Sequence, residues 1–109
     1  PFAQAKMDEW LFWEQYSHEP YIAVCRFLLV YLGKSPADLD PNKVKRGHAA
    51  LHRMEQQLGS SRFLVSDSIT LADIALVAYT RVAPEGGFAL DAYPSLRRWI
   101  VDTEQELGV

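Results

Sequence analysis

The chain has 109 residues, a formal net charge of -3 and one cysteine. That length holds one domain with a genuine core, and a composition 49% apolar and 12% aromatic excludes a disordered chain. The negative balance argues against nucleic acid as the main partner, and a lone Cys25 excludes an internal disulfide framework and fits a reducing, cytoplasmic compartment.

No basic-apolar-small pattern marks a signal peptide near the start. The chain opens on Pro1 and enters a helical pattern within a few residues, as a piece of something longer would. From Phe2 to Leu32 the pattern is helical with one fault. Met7, Trp10, Leu11, Trp13 and Ser17 fall near one face, and Phe12 and Tyr16 near another. Pro20 removes a backbone donor, which predicts a kink or a split there. The run from Ile22 to Leu32 is apolar almost throughout and ends at Gly33, a C-terminal stop. It is too short to span a bilayer, so it reads as a helix segment buried on two sides.

Lys34-Ser35-Pro36 reads as a loop. Asp40 then caps a helix whose first residue is Pro41. Val44, Gly47, Leu51, Met54 and Leu58 form its apolar stripe. Lys43, Lys45, Arg46, His48, His52, Arg53 and Glu55 fall on the wet side, and Gly59-Ser60-Ser61 ends it.

Phe63-Leu64-Val65 is a short apolar return into the best-defined helix start of the chain. Thr70 is placed to be the N-cap and Asp73, three residues on, to close a capping box. Ile69 and Ile74 stand where a hydrophobic staple would. Leu71, Ile74, Ala75, Ala78 and Val82 follow the helical period, while Leu76 and Val77 fill the opposite side. A helix apolar all round is buried, so this one is expected at the centre of the domain. On capping alone, Asp73→Ala should cost about 1–2 kcal/mol.

Pro84-Glu85-Gly86-Gly87 is a breaker, and Phe88 and Leu90 anchor the loop that follows. Tyr93-Pro94 opens the last helix, with Leu96, Trp99, Ile100 and Thr103 inward and Gly108 just beyond its end. No alternating strand pattern occurs. The sequence specifies an all-α helical bundle with a central, buried, N-capped helix.

Self-contained chemistry is absent from the pattern. His48 and His52 lie one helical turn apart, but the glutamate of a zinc-protease helix is missing and no third ligand is evident, so a solvated face is favoured over metal. Cys25 sits mid-helix in apolar company and reads as a structural thiol. Lys43, Lys45, Arg46 and Arg53 lack the aromatic interleaving of a nucleic-acid surface and read as a wet helix face. Trp10, Trp13, Tyr16, Ser17, His18 and Tyr21 gather around Pro20. Core packing accounts for many of them, and a ligand wall accounts for the polar tips and His18. No Ser/His/Asp set, paired-carboxylate pocket or glycine-rich phosphate loop is present.

The run Phe63-Leu-Val-Ser-Asp-Ser-Ile-Thr-Leu-Ala-Asp-Ile-Ala resembles the capping box and staple in the C-terminal domain of glutathione transferases. The stretch from Tyr79 to Trp99 is similar to the segment that follows it in bacterial members. Trp13-Glu-Gln-Tyr-Ser-His-Glu-Pro-Tyr-Ile-Ala-Val resembles their first C-domain helix. The three matches stand in order and cover essentially the whole chain.

The resemblance implies a two-domain enzyme, usually a homodimer. A thioredoxin-like N-terminal domain, missing from this chain, binds the co-substrate glutathione and carries the catalytic residue. The helical domain encloses a hydrophobic small-molecule electrophile and supplies part of the dimer surface. It carries no catalytic residue, no metal and no cofactor of its own. The same resemblance selects Trp10, Trp13, Ser17, His18 and Tyr21 on the first helix, and Tyr79 and Val82 on the capped helix, as substrate-binding positions. It places the dimer contact on the first helix and the Asp40–Leu58 helix. Two other readings of the same fold remain: a protein-interaction module of translation-associated complexes and a non-enzymatic ligand carrier.

Overall fold

In a computed structural model that describes residues 2–109, all the regular secondary structure is helical, joined by turns and loops. Among these residues there is no strand, and no helix is long and apolar enough to cross a membrane. The first helix is one rod made of α1 (Phe2–Trp13), a π turn (Glu14–His18), α2 (Glu19–Arg26) and a second π turn (Phe27–Tyr31). At about 1.5 Å per residue such a rod is roughly 45 Å long, which matches the 43 Å long axis of the molecule.

Pro20 does not break this rod. The Glu19 N–H bonds to the Glu14 carbonyl, five residues back, and Pro20 then falls in the first turn of α2, where no backbone donor is required. The predicted fault is therefore absorbed one turn early by a wider turn. The second half of the rod is also less buried than its composition suggests. Ile22 and Cys25 enter the core, while Phe27, Val30, Tyr31 and Leu32 are exposed. Gly33 ends the rod at φ +64°, a conformation that favours glycine.

The segment after Gly33 holds a short 3-10 turn, Pro36–Asp38, closed by a Ser35–Asp38 capping box. Helix α3 (Pro41–Leu58) starts where Asp40 and Pro41 predict, with Asp40 Oδ1 accepting the Asn42 N–H at 2.9 Å. Its inward stripe is Gly47, Ala50, Leu51, Met54 and Leu58. Gly47 is required by packing, because a Cβ there would strike the Phe88 ring and crowd Ile22. Phe63 and Leu64 return the chain to the core.

Helix α4 (Leu71–Thr80) carries the predicted capping box. Thr70 Oγ1 accepts the Ala72 N–H at 3.2 Å, and Asp73 Oδ2 accepts the Thr70 N–H at 2.9 Å. Asp73 does more than cap. It is fully buried, and its Oδ1 accepts both the Leu64 N–H at 2.9 Å and the Trp99 Nε1–H at 2.8 Å. One carboxylate thus joins the start of α4, the incoming loop and α5 (Pro94–Leu107).

The inward face of α4 corrects the periodicity. Ala72, Asp73, Leu76, Val77 and Thr80 are buried, whereas Leu71 is 59% and Ile74 39% exposed and Ala78 lies outside. An almost uniformly apolar helix leaves its inward side undecided by hydrophobicity. Here the polar Asp73 and Thr80 choose it, because their partners lie inside. Ile69 packs on the core, opposite to Ile74 in exposure.

A 3-10 turn, Ala83–Gly86, leads to the buried Phe88. In α5 Leu96, Trp99 and Thr103 face inward, and Gly108 closes the helix at φ +76°. The ends of α3 and α5 serve each other. Glu55 accepts the Ser95 and Leu96 N–H groups at 3.1 and 2.8 Å, and Arg98 Nη2 donates to the carbonyls of Leu58, Ser61 and Arg62. These contacts satisfy helix-end groups that would otherwise lack partners.

Candidate functional site

The π turn faces α3 across a groove of about 310 Å³, lined by Trp13, Tyr16, Ser17 and Tyr21 on one wall and Arg46, Ala49, Ala50 and Arg53 on the other. The two small residues of α3 open the space. The rings come from the first helix at one-turn spacing, with the wider turn between them. Arg46 lies over the Tyr21 ring at 5.8 Å from its centroid and its Nη1 donates to the Tyr21 hydroxyl at 3.3 Å. Arg53 lies over Trp10 at 5.2 Å and over Trp13 at 5.8 Å.

Beneath the groove the rings are braced. Trp10 is buried and meets Trp13 edge-on at 5.1 Å. His18 is fully buried, 5.8 Å from the Trp13 ring, with Nε2 2.8 Å from Thr80 Oγ1. The Thr80 hydroxyl gives its one proton to the Leu76 carbonyl at 2.7 Å. It can therefore only accept from His18, which fixes the Nε2–H tautomer and leaves Nδ1 a buried acceptor without a partner. Burial lowers the His18 pKa to about 4, so the ring is neutral at physiological pH.

A second depression of similar volume runs along another side of the rod, lined by Glu19, Ala23, Val24, Arg26, Phe27, Tyr31 and Tyr79. Arg26 is held there by Glu85 at 2.9 Å and lies 5.6 Å from the Tyr31 ring centroid. Burial, with the neighbouring Glu19 carboxylate, raises the Glu14 pKa.

The substrate-binding positions expected from sequence therefore divide. Trp13, Ser17 and Tyr21 meet in the first groove, Tyr79 belongs to the second, and the buried Trp10 borders a smaller depression with Arg53, Gln56 and Gln57. His18 packs in the core rather than on a wall. Val82 follows α4, half-buried, and lines neither depression. Tyr16, part of the aromatic cluster read from the sequence, joins this groove, whereas Arg46, Ala49, Ala50 and Arg53 were not among the expected positions. The available signal was the seven-residue spacing of Arg46 and Arg53 around two alanines, which sets both cations on one face beside a gap. Elsewhere, Cys25 is buried, which pushes its thiol pKa up, and His48 packs edge-on against Phe88 at 5.0 Å.

The fold defines an all-helical domain whose long first helix is flanked by two open, aromatic-lined depressions. Residues 11–105 match the family described as glutathione S-transferase, C-terminal domain, and the chain belongs to that family. It is 44% identical to a glutathione S-transferase of Pseudomonas fluorescens, with a TM-score of 0.89 over 94% of this chain and 52% of that one. A glutathione S-transferase of Xanthobacter autotrophicus is 42% identical, with a TM-score of 0.93 over 100% of this chain and 54% of that one. Elongation factor 1-gamma of Drosophila melanogaster is 27% identical over 106 residues, which are 93% of this chain and 24% of that protein. The chain spans about half the length of the two solved transferases it resembles.

Proposed function

We propose that this chain is the electrophile-binding half of a glutathione transferase. The observation that carries the reading is the 42–44% identity to two bacterial glutathione S-transferases over nearly the entire chain. A thioredoxin-like N-terminal half would bind glutathione and stabilise its thiolate, since a hydrogen bond or dipole that favours the anion lowers the thiol pKa. The thiolate then attacks an electrophilic carbon, the C–S bond forming as the leaving group departs.

The share of this domain is to enclose and orient the second substrate, so that the carbon is presented to the sulfur at close range. Trp13, Ser17 and Tyr21, braced by Trp10 and His18, supply one wall with polar tips, and Tyr79 contributes to the other depression. Homodimerisation belongs to the same proposal. Its contact falls on the first helix and α3, while exposed Phe27, Val30, Tyr31 and Leu32 at the end of the rod, with Leu71, Ile74 and Tyr79 on α4, give an apolar surface on which an N-terminal half would be seated.

The relation to elongation factor 1-gamma supports a second reading, a non-catalytic module. The higher identity to the transferases favours the first. Joining this chain to the N-terminal half of the Pseudomonas fluorescens relative tests it. The chimera should conjugate glutathione to an aryl chloride with release of chloride, and Trp13→Ala should raise the KM for the aryl chloride while leaving that for glutathione unchanged. A folded chimera without turnover would favour the interaction module.

A further inference from the structure

The second depression borders the surface on which an N-terminal half would be seated, since Phe27, Tyr31 and Tyr79 belong to both. It measures about 310 Å³. The Phe27 and Tyr31 rings, tilted 31° to each other at 5.8 Å, wall it from the rod, and Tyr79 walls it from α4. Two charged side chains line it, Glu19 and Arg26.

Arg26 is fixed there by the chain itself. The turn Ala83–Gly86 is pressed so closely onto the rod that a Cβ on Gly86 would lie 2.9 Å from the Arg26 backbone nitrogen. That approach sets Glu85 beside Arg26, whose Nε–H it accepts at 2.9 Å, while the guanidinium lies 5.6 Å from the Tyr31 ring centroid. A guanidinium carries five N–H donors in a rigid fork. Glu85 takes one, and even with the neighbouring Tyr31 hydroxyl on another, donors on the Nη groups remain for a ligand oxygen.

The charges decide what kind of oxygen. Glu85 offsets the Arg26 charge and Glu19 adds a carboxylate to the lining, so a ligand that is already an anion gains little. An oxygen that turns negative only during reaction gains from donors already held in place. A carbonyl conjugated to the carbon under attack is such an oxygen.

We propose that Arg26 is a catalytic hydrogen-bond donor in the second depression, and that the electrophile it serves is a neutral aromatic ketone or aldehyde with a conjugated double bond. The ring lies against Phe27, Tyr31 and Tyr79, and the carbonyl oxygen meets the Nη donors. The thiolate forms the C–S bond at the far carbon of the double bond, and the π pair moves through to the oxygen. The carbon beside the carbonyl then takes a proton from water, in place of the one the thiol gave up. This rests on the transferase reading, which supplies the thiolate.

The test uses the chimera with the Pseudomonas fluorescens N-terminal half and two neutral aromatic electrophiles. Benzylideneacetone develops its charge on a carbonyl oxygen, whereas benzyl chloride sends its charge away on chloride. Arg26→Gln should lower kcat for benzylideneacetone about 30-fold with KM nearly unchanged, because the bond is strongest in the transition state. Its kcat for benzyl chloride should fall by about twofold at most. Arg26→Lys, which keeps a charged donor, should recover part of the loss. Dimethylaminobenzylideneacetone gives a reading without turnover, since its absorption band moves to longer wavelength when the carbonyl accepts a hydrogen bond. Bound in the absence of glutathione, it should absorb at longer wavelength in the parent chimera than in Arg26→Gln.

Equal losses on the two electrophiles would overturn the proposal, because Arg26 would then only hold the rod to the turn. So would an unchanged kcat for benzylideneacetone, or an absorption band that ignores the substitution. Turnover of benzyl chloride with no Arg26 effect on either ketone defeats this inference and leaves the transferase reading standing. A folded chimera that turns over neither electrophile, yet shifts the ketone band through Arg26, defeats the transferase reading and leaves Arg26 as the carbonyl donor of the depression.

Discussion

Replacing Asp73 with alanine should destabilise the domain far more than loss of a helix cap does. The carboxylate accepts the Thr70 N–H and hydroxyl on Oδ2, at 2.9 and 3.3 Å, and the Leu64 N–H and Trp99 Nε1–H on Oδ1, at 2.9 and 2.8 Å. Loss of a cap costs about 1 kcal/mol. The Leu64 and Trp99 donors are buried, and a buried donor left without a partner costs about 1–3 kcal/mol. Taking the low end for each, because a water can enter the vacated space, the total is about 3 kcal/mol. That is a large share of the stability of a domain this size, about 5–15 kcal/mol. At about 4–8 °C per kcal/mol, Tm should fall by about 12 °C or more.

Thr70→Ala is the control. It removes one side-chain acceptor at the helix start but leaves Leu64 and Trp99 bonded, and should cost about 1 kcal/mol. Urea denaturation of both variants gives the comparison. Equal losses for Asp73→Ala and Thr70→Ala would refute the view that Asp73 ties three elements together.

Three further outcomes are expected. His18, with its pKa lowered to about 4 in the folded chain and near 6.5 when unfolded, is protonated first in the unfolded state, so stability is complete above about pH 6.5 and declines as pH falls toward 4. The total contribution is about 3 kcal/mol, visible in urea midpoints across that window, and His18→Phe should remove that part of the slope. Gly47→Ala places a methyl against Phe88 and should cost about 1–3 kcal/mol by thermal denaturation, with Ala49→Gly nearby as a mild comparison. Glu55→Ala frees the Ser95 and Leu96 N–H groups and should cost about 1 kcal/mol, with the earliest loss of amide protection in the first turn of α5.

Helix starts and stops were the most legible features. Thr70 with Asp73, Asp40 with Pro41, and Gly33 and Gly108 each depend on local backbone chemistry that a short stretch of residues contains in full. The family was legible for the same reason, since the capped segment and its neighbours carry it. Faces were less legible. Helix α4 is apolar on nearly every side, so periodicity selected Leu71, Ile74 and Ala78, while the buried side was set by Asp73 reaching Trp99 and by Thr80 reaching His18. Those partners are 26 and 62 residues away in the chain, beyond the reach of local pattern.

The groove shows the same limit. Trp13, Ser17 and Tyr21 could be grouped from the sequence because they share a helix. Arg46 and Arg53 look like ordinary solvated cations until the fold sets them over the rings of another helix. His18, at the end of the π turn, lies in the core with its imidazole on Thr80 rather than on a wall, a partner 62 residues away that local pattern does not reveal.

The measurement that bears most directly on the proposed function is chloride release from an aryl chloride by the chimera with the Pseudomonas fluorescens N-terminal half, in the presence of glutathione. Turnover is expected from the chimera, none from the 109-residue chain alone, and a raised aryl-chloride KM in Trp13→Ala with the glutathione KM unmoved. Turnover by the purified chain alone, or a folded chimera that binds glutathione and releases no chloride, would contradict it.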